Sequence, residues 1–249
     1  MILGGVEILA ERLADVPGVV AVTLGGSRAT GDATPDSDWD FGLYYRGTID
    51  PDDVRALGFR GEVFAPGQWG PIVNGGAWLD VDGVKVDLIY RDLDDVVYWT
   101  AEADAGRFRI DREVGYVAGI ATYVLAGELA LAKVLSGELP RPKFSSALRA
   151  TAPPRWTNIA AGAVRHAKGS ANRGDRIGCL AHLTLAILAT AQAHLASRGT
   201  WALNEKHIVD RAGLGRAHEL LHDVVDLRRV VDETSDLLAL DHPDSPWLR

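Results

Sequence analysis

The sequence predicts an α/β (α+β) protein, in which an N-terminal mixed β-sheet domain with helices on one side is followed by a C-terminal helical bundle. Two observations predict this class. Strand and helix signals alternate through the first part of the 249 residues, and long apolar stretches with helical periodicity dominate from Gly115 onward. We place the boundary near Asp111, which gives predicted domains of residues 1–112 and 113–249.

The first elements are a helix, a buried strand and a second, short helix. Residues 6–13 have the apolar spacing of an amphipathic helix, and residues 19–24 form a β-branched run that ends on Gly25-Gly26. A glycine pair after such a run is typical of a strand that enters a turn. We predict a short helix from Ser27 onward.

Two further strand signals complete the predicted sheet. From Asp38 to Tyr45, polar residues and glycine alternate with large apolar ones, and this period of two indicates a strand. Proline at the first position predicts a helix over residues 51–57. An Asp-Gly turn joins residues 78–81 to residues 84–90, which predicts a hairpin.

The second half of the chain has the pattern of a four- or five-helix bundle. We predict irregular structure for the tail, residues 241–249, because it contains two prolines. We also expect Pro153-Pro154 to interrupt a helix. The predicted helices cover residues 117–135, 156–168 and 176–197, with a closing pair around Ile208 and residues 220–240.

Composition excludes several classes of protein. The 26 basic residues face 34 acidic ones, and the net charge of -8 lacks the basic surface that duplex nucleic acid needs. An acidic surface suits a cationic small molecule better. With one cysteine, an internal disulfide framework is excluded, which fits the reducing cytoplasm. We expect no membrane span, because polar residues interrupt the apolar stretch 179–195.

Three aspartates have the spacing of a metal site. Asp38 and Asp40 lie two apart on a predicted strand and therefore project from the same face, and Asp87 alternates with apolar residues on a later strand. Carboxylates placed side by side repel unless a cation lies between them, and oxygen ligands favour Mg²⁺ or Mn²⁺. The alternative is that these acids are solvated charges at strand ends.

The glycine-led segment before these acids favours the metal site. Gly25 and Gly26 allow close backbone approach, and a helix that begins at Ser27 presents free N–H groups to phosphate. A lone Gly-Gly-Ser is a common turn. What is specific is the order: a strand, Gly-Gly-Ser-Arg, a short spacer, Asp-x-Asp on a second strand and Asp87 on a third.

This order resembles the polymerase-beta-like nucleotidyltransferase superfamily, whose pattern is Gly-Gly/Ser-Ser, then Asp-x-Asp, then a distant Asp. The phrase ATPDSDWDFGLYY is similar to bacterial small-molecule members that include aminoglycoside nucleotidyltransferases, and the resemblance covers residues 19–90. It implies that Gly26 and Ser27 hold the terminal phosphates of ATP or another nucleoside triphosphate (NTP). It also implies that Asp38, Asp40 and Asp87 hold two metal ions.

Three further predictions, for a general base and two phosphate contacts, concern residues outside this core. Glu128, among small and apolar residues, is our preferred general base for the acceptor hydroxyl, with Glu102 and Asp104 as alternatives. Arg28 and Lys206 are candidate phosphate contacts, and ordinary helix charge explains each of them equally well or better.

The sequence therefore predicts a metal-dependent nucleotidyltransferase that moves a nucleoside monophosphate to a hydroxyl of a small molecule, such as an aminoglycoside-like antibiotic. Two alternatives stay open: transfer of AMP to a protein hydroxyl, as in toxin–antitoxin nucleotidyltransferases, and nucleotide binding without catalysis. We expect a cytoplasmic monomer or homodimer.

Overall fold

The computed structural model describes the backbone of residues 3–240 and the side chains of residues 8–240. The predicted irregular tail, residues 241–249, lies outside the described residues. The chain divides into two compact units. One contains the residues up to Ala103 together with Thr122–Lys143, and the other contains Asp104–Ala121 and the residues from Phe144 onward.

The described residues form eight strands and ten helices, and the two kinds of element alternate through the first unit. The strands are β1 (Val19–Leu24), β2 (Trp39–Tyr45), β3 (Arg60–Val63), β4 (Gly76–Val81), β5 (Val84–Asp92), β6 (Ile110–Asp111), β7 (Ile120–Ala121) and β8 (Lys133–Ser136). The helices are α1 (Leu3–Ala14), α2 (Gly26–Thr30), α3 (Pro51–Arg55), α4 (Leu93–Asp104), α5 (Val124–Leu131), α6 (Ser146–Asn172), α7 (Arg176–Ser197), α8 (Ile208–Arg211), α9 (Arg216–His222) and α10 (Leu227–Leu237).

The first unit is built on a mixed sheet, as predicted. Within the described residues the sheet has the strand order β3-β4-β5-β2-β1-β8. The neighbours β2 and β5 run parallel, and the other pairs are antiparallel. A parallel pair needs a crossover connection, and the chain between β2 and β5 supplies it with α3, β3 and β4.

The two faces of this sheet differ in polarity. The face that we call the core face carries Phe41, Leu43, Leu88 and Tyr90, which pack with Leu9 of α1 in a buried cluster. Residues of opposite parity point to the other face. We call it the acid face, because it carries Asp40 and Asp87; its other members include Thr23, Gly42, Tyr44, Arg60, Glu62, Trp78, Asp80, Lys85, Ile89 and Arg91.

The second unit is mainly helical, and α6 and α7 form its longest pair. α7 has the limits that the sequence predicts, residues 176–197. The segment 104–121 belongs to this unit, because Thr151 of α6 donates a hydrogen bond to the Gly106 carbonyl (2.7 Å) and Glu205 accepts from the backbone of Val117 and Ala118 (2.8 Å each). The predicted limits of the domains, 1–112 and 113–249, differ from these units between residues 104 and 143.

Two predictions about helices were wrong. Residues 117–135 form β7, the short helix α5 and the start of β8 in place of one long helix. A left-handed glycine, Gly119 (φ 97°), breaks the helical path, and β8 instead completes its hydrogen bonds by pairing with β1.

Pro153-Pro154 does not interrupt the helix in which it lies. Both prolines are inside α6, which continues for 27 residues. Each proline removes one helical hydrogen bond, but the buried side chains of Leu148, Ala152 and Trp156 hold the turns on both sides. Packing therefore outweighs the local preference at this point.

In the part of the chain that the structure describes, α7 alone is long and apolar enough to cross a membrane by length and composition. Most of its apolar window is buried inside the protein. The core helix of a globular unit has the same property, and the sequence predicts this role for residues 179–195.

Candidate active site

Two of the three predicted metal ligands lie side by side on the acid face. β2 and β5 are parallel neighbours, and their register pairs Asp40 directly with Asp87. Neighbouring strands are separated by about 4.8 Å, and paired residues project from the same face, so the two carboxylates share one site. Both residues are half-buried. A close pair of acids on an otherwise well-packed sheet is the arrangement that a divalent cation stabilises.

The glycine-led segment lies directly against this pair. The Gly25 N–H donates to the Asp40 carbonyl (2.7 Å), and this bond extends the β1–β2 ladder by one residue. Gly26 has a left-handed backbone (φ 57°), and a Cβ at this position would overlap the carboxylate of Asp40. Only glycine fits beside this carboxylate, which explains the glycine at this position.

We expect Gly26→Ala to reduce activity by about 100-fold, because the added methyl group must displace the Asp40 carboxylate, and small displacements at a reacting centre have effects of this size. Gly31→Ala is a matched control: Gly31 also has a left-handed backbone (φ 90°), but nothing lies within 4 Å of its would-be Cβ. The measurement is the initial rate of the predicted nucleotidyl transfer by each variant and by the wild-type protein. Equal losses would show that backbone strain, and not the clash with Asp40, is the cause.

Asp38 and Arg28 are placed differently from the acid pair. β2 begins at Trp39, so Asp38 is an exposed loop residue directly before the strand. The guanidinium of Arg28 donates to the carbonyls of Ser37 (2.5 Å) and Asp38 (3.2 Å) and lies 4.4 Å from the ring centre of Trp39. Arg28 therefore fixes the chain where it enters β2, and the structure does not bring its side chain to the acid face.

The donor set of the acid face fits a hard divalent cation. Asp40 and Asp87 supply carboxylate oxygens, which suit Mg²⁺ or Mn²⁺. Among the residues that the structure describes, no group of three or more His, Cys, Asp or Glu side chains is arranged to hold a metal ion. The candidate metal ligands that the sheet places side by side are therefore Asp40 and Asp87.

Glu128, the predicted general base, forms a bidentate ion pair with Arg91. Its two carboxylate oxygens accept from the guanidinium at 2.6 and 2.7 Å. The Arg91 side chain is 4 % exposed and that of Glu128 is 23 % exposed. Arg91 also donates to the carbonyls of Val73 (2.7 Å) and Tyr90 (3.1 Å). This arrangement ties α5, β5 and the loop before β4 together, which is a positioning role that the sequence reasoning missed.

The signal for Arg91 was present in the sequence. Arg91 follows Asp87 by four residues in an apolar strand, so both side chains must lie on one face, about 13 Å apart along the strand. A buried guanidinium needs a carboxylate partner, and Glu128 is the acid that meets it. Tyr44, the register partner of Arg91, is buried, and burial together with the nearby Glu128 raises the pKa of its phenol.

The other predicted residues are Glu102 in the first unit and Asp104 and Lys206 in the second. Glu102 is half-buried and Asp104 is exposed at the end of α4. Lys206 belongs to the second unit, where its side chain is exposed and its N–H donates to the Asn204 side chain (3.0 Å). The roles of these residues stay predictions.

Comparison with known proteins agrees with this geometry. Residues 6–97, which contain Gly25, Gly26, Asp38, Asp40 and Asp87, match the family described as "Nucleotidyltransferase domain". A search of curated proteins gave no match.

Solved structures with a similar chain path have low identity. A nucleotidyltransferase-like protein from Exiguobacterium sibiricum is 11% identical over 96% of this chain and 75% of its own (TM-score 0.44). An aminoglycoside 6-adenyltransferase from Bacillus subtilis is 13% identical over 96% and 92% (TM-score 0.29). The cyclic dinucleotide synthase CdnE from Elizabethkingia meningoseptica is 12% identical over 94% and 87% (TM-score 0.26).

With TM-scores below 0.5, these three likenesses carry no argument about substrate. The family match is independent of them and coincides with the glycine-led segment and the acid pair. Residues 6–97 of this chain are therefore similar to the nucleotidyltransferase domain family.

Proposed function

We propose that the protein transfers a nucleoside monophosphate, with ATP as the expected donor, to a hydroxyl group of a small molecule and releases pyrophosphate. The observation that carries this proposal is the pairing of Asp40 with Asp87 on the acid face, directly beside Gly25 and Gly26. One place on the sheet thus combines backbone that a phosphate can approach closely with paired carboxylates that can hold a divalent cation.

The reaction replaces a phosphoanhydride bond of the nucleoside triphosphate with a phosphate ester bond to the acceptor. The acceptor oxygen forms a bond to the α-phosphorus, the bond from the α-phosphorus to the bridging oxygen breaks, and pyrophosphate leaves with that electron pair. The hydroxyl proton is lost to a base. Gly26 and Ser27 hold the terminal phosphates through backbone N–H groups, and this fixes the α-phosphorus over the acid pair. Gly25, whose own N–H pairs with the Asp40 carbonyl, lets the phosphates approach the backbone closely.

Asp40 and Asp87, with Asp38 from the adjoining loop, would hold two Mg²⁺ ions, for which Mn²⁺ can substitute. When bound, such ions offset the charge of the triphosphate and lower the pKa of the acceptor hydroxyl. The protein's own contribution is to keep two carboxylates close together through the register of the paired strands β2 and β5.

Two roles from the sequence remain part of the proposal. Glu128, or in its place Glu102 or Asp104, would accept the hydroxyl proton, although the ion pair with Arg91 already occupies both Glu128 oxygens. Arg28 and Lys206 would contact phosphate oxygens only if each side chain leaves its present surroundings or the substrate reaches it.

The net charge of -8 supports a cationic small acceptor over duplex nucleic acid, and an aminoglycoside-like antibiotic meets this description. Resistance to such an antibiotic would follow from its modification. We further propose a cytoplasmic enzyme that works as a monomer or homodimer.

The test is acceptor-dependent release of pyrophosphate. The purified protein is incubated with labelled ATP, GTP, CTP or UTP, with Mg²⁺ and a panel of aminoglycosides, nucleosides and neutral sugars. We expect release with ATP only when an acceptor is present, and loss of release with EDTA. Label found on a protein would support the alternative of AMP transfer to protein hydroxyls. Failure to bind any nucleotide in the presence of Mg²⁺, measured by calorimetry, would refute the proposal.

A further inference from the structure

Three aromatic rings form a cluster beside the acid pair. Trp69 stacks on Trp78 with ring centres 5.3 Å apart and planes at 20°. Phe64 packs against both, at 5.0 Å from Trp69 and 4.8 Å from Trp78. Trp78 remains 52% exposed. We refer to Phe64, Trp69 and Trp78 as the aromatic cluster.

The register of the sheet places this cluster in line with the acids. Trp78 is the direct partner of Asp87, and Glu62 is the direct partner of Trp78. Val63 follows Glu62, and Leu79 follows Trp78, along their strands, and both apolar side chains pack into the core. Because successive side chains of a strand point to opposite faces, Glu62 and Trp78 both point to the acid face. At about 4.8 Å per strand, Glu62 lies roughly 14 Å from Asp40. The acid pair thus has Gly25 and Gly26 on one side and Trp78 with Glu62 on the other.

The loop that carries Trp69 is held by hydrogen bonds to the rest of the first unit. The Trp69 N–H donates to the Asn74 carbonyl (2.8 Å), and the Asn74 side chain contacts both Gly67 N–H (2.7 Å) and the Tyr45 hydroxyl (3.2 Å). Arg91 binds the Val73 carbonyl in the same loop. The ring of Trp69 lies over Gly76, where a Cβ would meet its Cζ3 atom at 3.0 Å. The exposed indole of Trp78 is therefore supported from behind by fixed structure.

We propose that the acceptor is an amine-bearing alcohol with a saturated ring, and that it binds over the indole of Trp78 with an ammonium group directed at Glu62. This inference rests on the proposed function and assigns the acceptor to the side of Asp87 that is opposite to Gly25 and Gly26. The nucleotide phosphates lie beside Gly25 and Gly26, on one side of the acid pair. A hydroxyl presented from Trp78 therefore approaches the α-phosphorus from the opposite side, as in-line displacement requires.

The side chains of Trp78 and Glu62 favour a cationic ligand. An indole face attracts an ammonium group, and it also packs well against the C–H groups of a saturated ring. Glu62 is exposed and adds negative charge on the side of Trp78 that is remote from the acid pair. An acceptor that carries amines can therefore contact Trp78 and Glu62 while its hydroxyl reaches the strand that bears Asp87.

The experiment measures binding of two probes by calorimetry, kanamycin and kanamycin with all its amines acetylated, and binding of ATP with Mg²⁺ in separate titrations. We expect Trp78→Ala to weaken kanamycin binding about tenfold and Glu62→Gln to weaken it several-fold, with ATP affinity unchanged. The acetylated probe should bind weakly to the wild-type protein and equally weakly to both variants. Trp78→Leu keeps an apolar side chain and should behave like Trp78→Ala.

Tyr98→Ala is the matched control, because Tyr98 is an exposed aromatic residue (55%) of the first unit that lies on α4 and not on the sheet. Its binding of both probes should equal that of the wild type. If ATP binds but kanamycin does not, or if Trp78→Ala and Tyr98→Ala bind kanamycin equally, the acceptor site is refuted while the proposed function stands. If neither ATP nor any other nucleoside triphosphate binds in the presence of Mg²⁺, the proposed function is refuted.

Discussion

Asp40→Asn is expected to reduce nucleotidyl transfer by about 10³-fold or more without unfolding the protein. The substitution keeps the size of the side chain but removes one of the two charges that the β2–β5 register places together. Stabilisation of the transition state by a metal-held triphosphate amounts to several kcal/mol, and each 1.36 kcal/mol corresponds to a factor of ten. The measurement is the rate of pyrophosphate release, with thermal unfolding recorded in parallel.

Asp52→Asn provides the control for charge alone. Asp52 is an exposed acid of α3 in the same unit, where it pairs with Arg55 on the surface, so its loss should leave the rate unchanged. Asp87→Asn should match Asp40→Asn. If Asp40→Asn retains more than a tenth of the wild-type rate, the acid pair is not the centre of the reaction.

Glu128→Ala is expected to lower the free energy of unfolding by about 3 kcal/mol, because it leaves the buried guanidinium of Arg91 without its carboxylate. Arg91→Met should have an effect of similar size. Chemical denaturation of each variant gives the free energy directly. Arg46→Met is the control: Arg46 pairs with Asp94 on the exposed surface, so its removal should change stability by less than about 1 kcal/mol.

Glu128→Gln separates the positioning role of Glu128 from the predicted role of general base. A positioning role predicts reduced stability together with a moderate decrease in rate, since an amide still accepts one hydrogen bond from Arg91. A general base predicts near-complete loss of rate with stability retained. The second outcome would restore the prediction made from the sequence.

The fold of the first unit could be predicted from local patterns. The β-branched run 19–24, the alternation after Asp38 and the Asp-Gly hairpin each report on a single strand or turn, and all three are found as β1, β2 and the β4–β5 hairpin. Alternation also predicted correctly that Asp87 and Leu88 face opposite sides. What local patterns cannot give is the register between β2 and β5, because the two strands are separated in the chain by about forty residues.

The helical predictions failed where tertiary structure opposes local preference. Residues 133–135 end a stretch whose apolar spacing suits a helix, but residues 133–136 form an edge strand that pairs with β1. The prolines of α6 would end an isolated helix, yet this helix lies against α7 along its buried side. Both errors have the same cause: a partner that is distant in sequence decides the outcome.

The candidate site, like the fold, could be predicted from the sequence only in part. The identities of Gly26, Asp40 and Asp87 follow from order and spacing, whereas the partner of each charged side chain does not. Arg28 reaches Trp39 and Glu128 reaches Arg91, so two side chains predicted to act on substrate also hold parts of the first unit together. Trp78 and Glu62 could not be assigned, because their relation to Asp87 exists only in the paired sheet.

The most direct test of the central claim is mass spectrometry of the acceptor after incubation with ATP, Mg²⁺ and the protein. We expect a product heavier than the acceptor by one nucleoside monophosphate less water, with one pyrophosphate released for each product molecule and about 10³-fold less product or lower from Asp40→Asn. Transfer of a single phosphoryl group, release of orthophosphate, or undiminished product from Asp40→Asn would contradict the central claim.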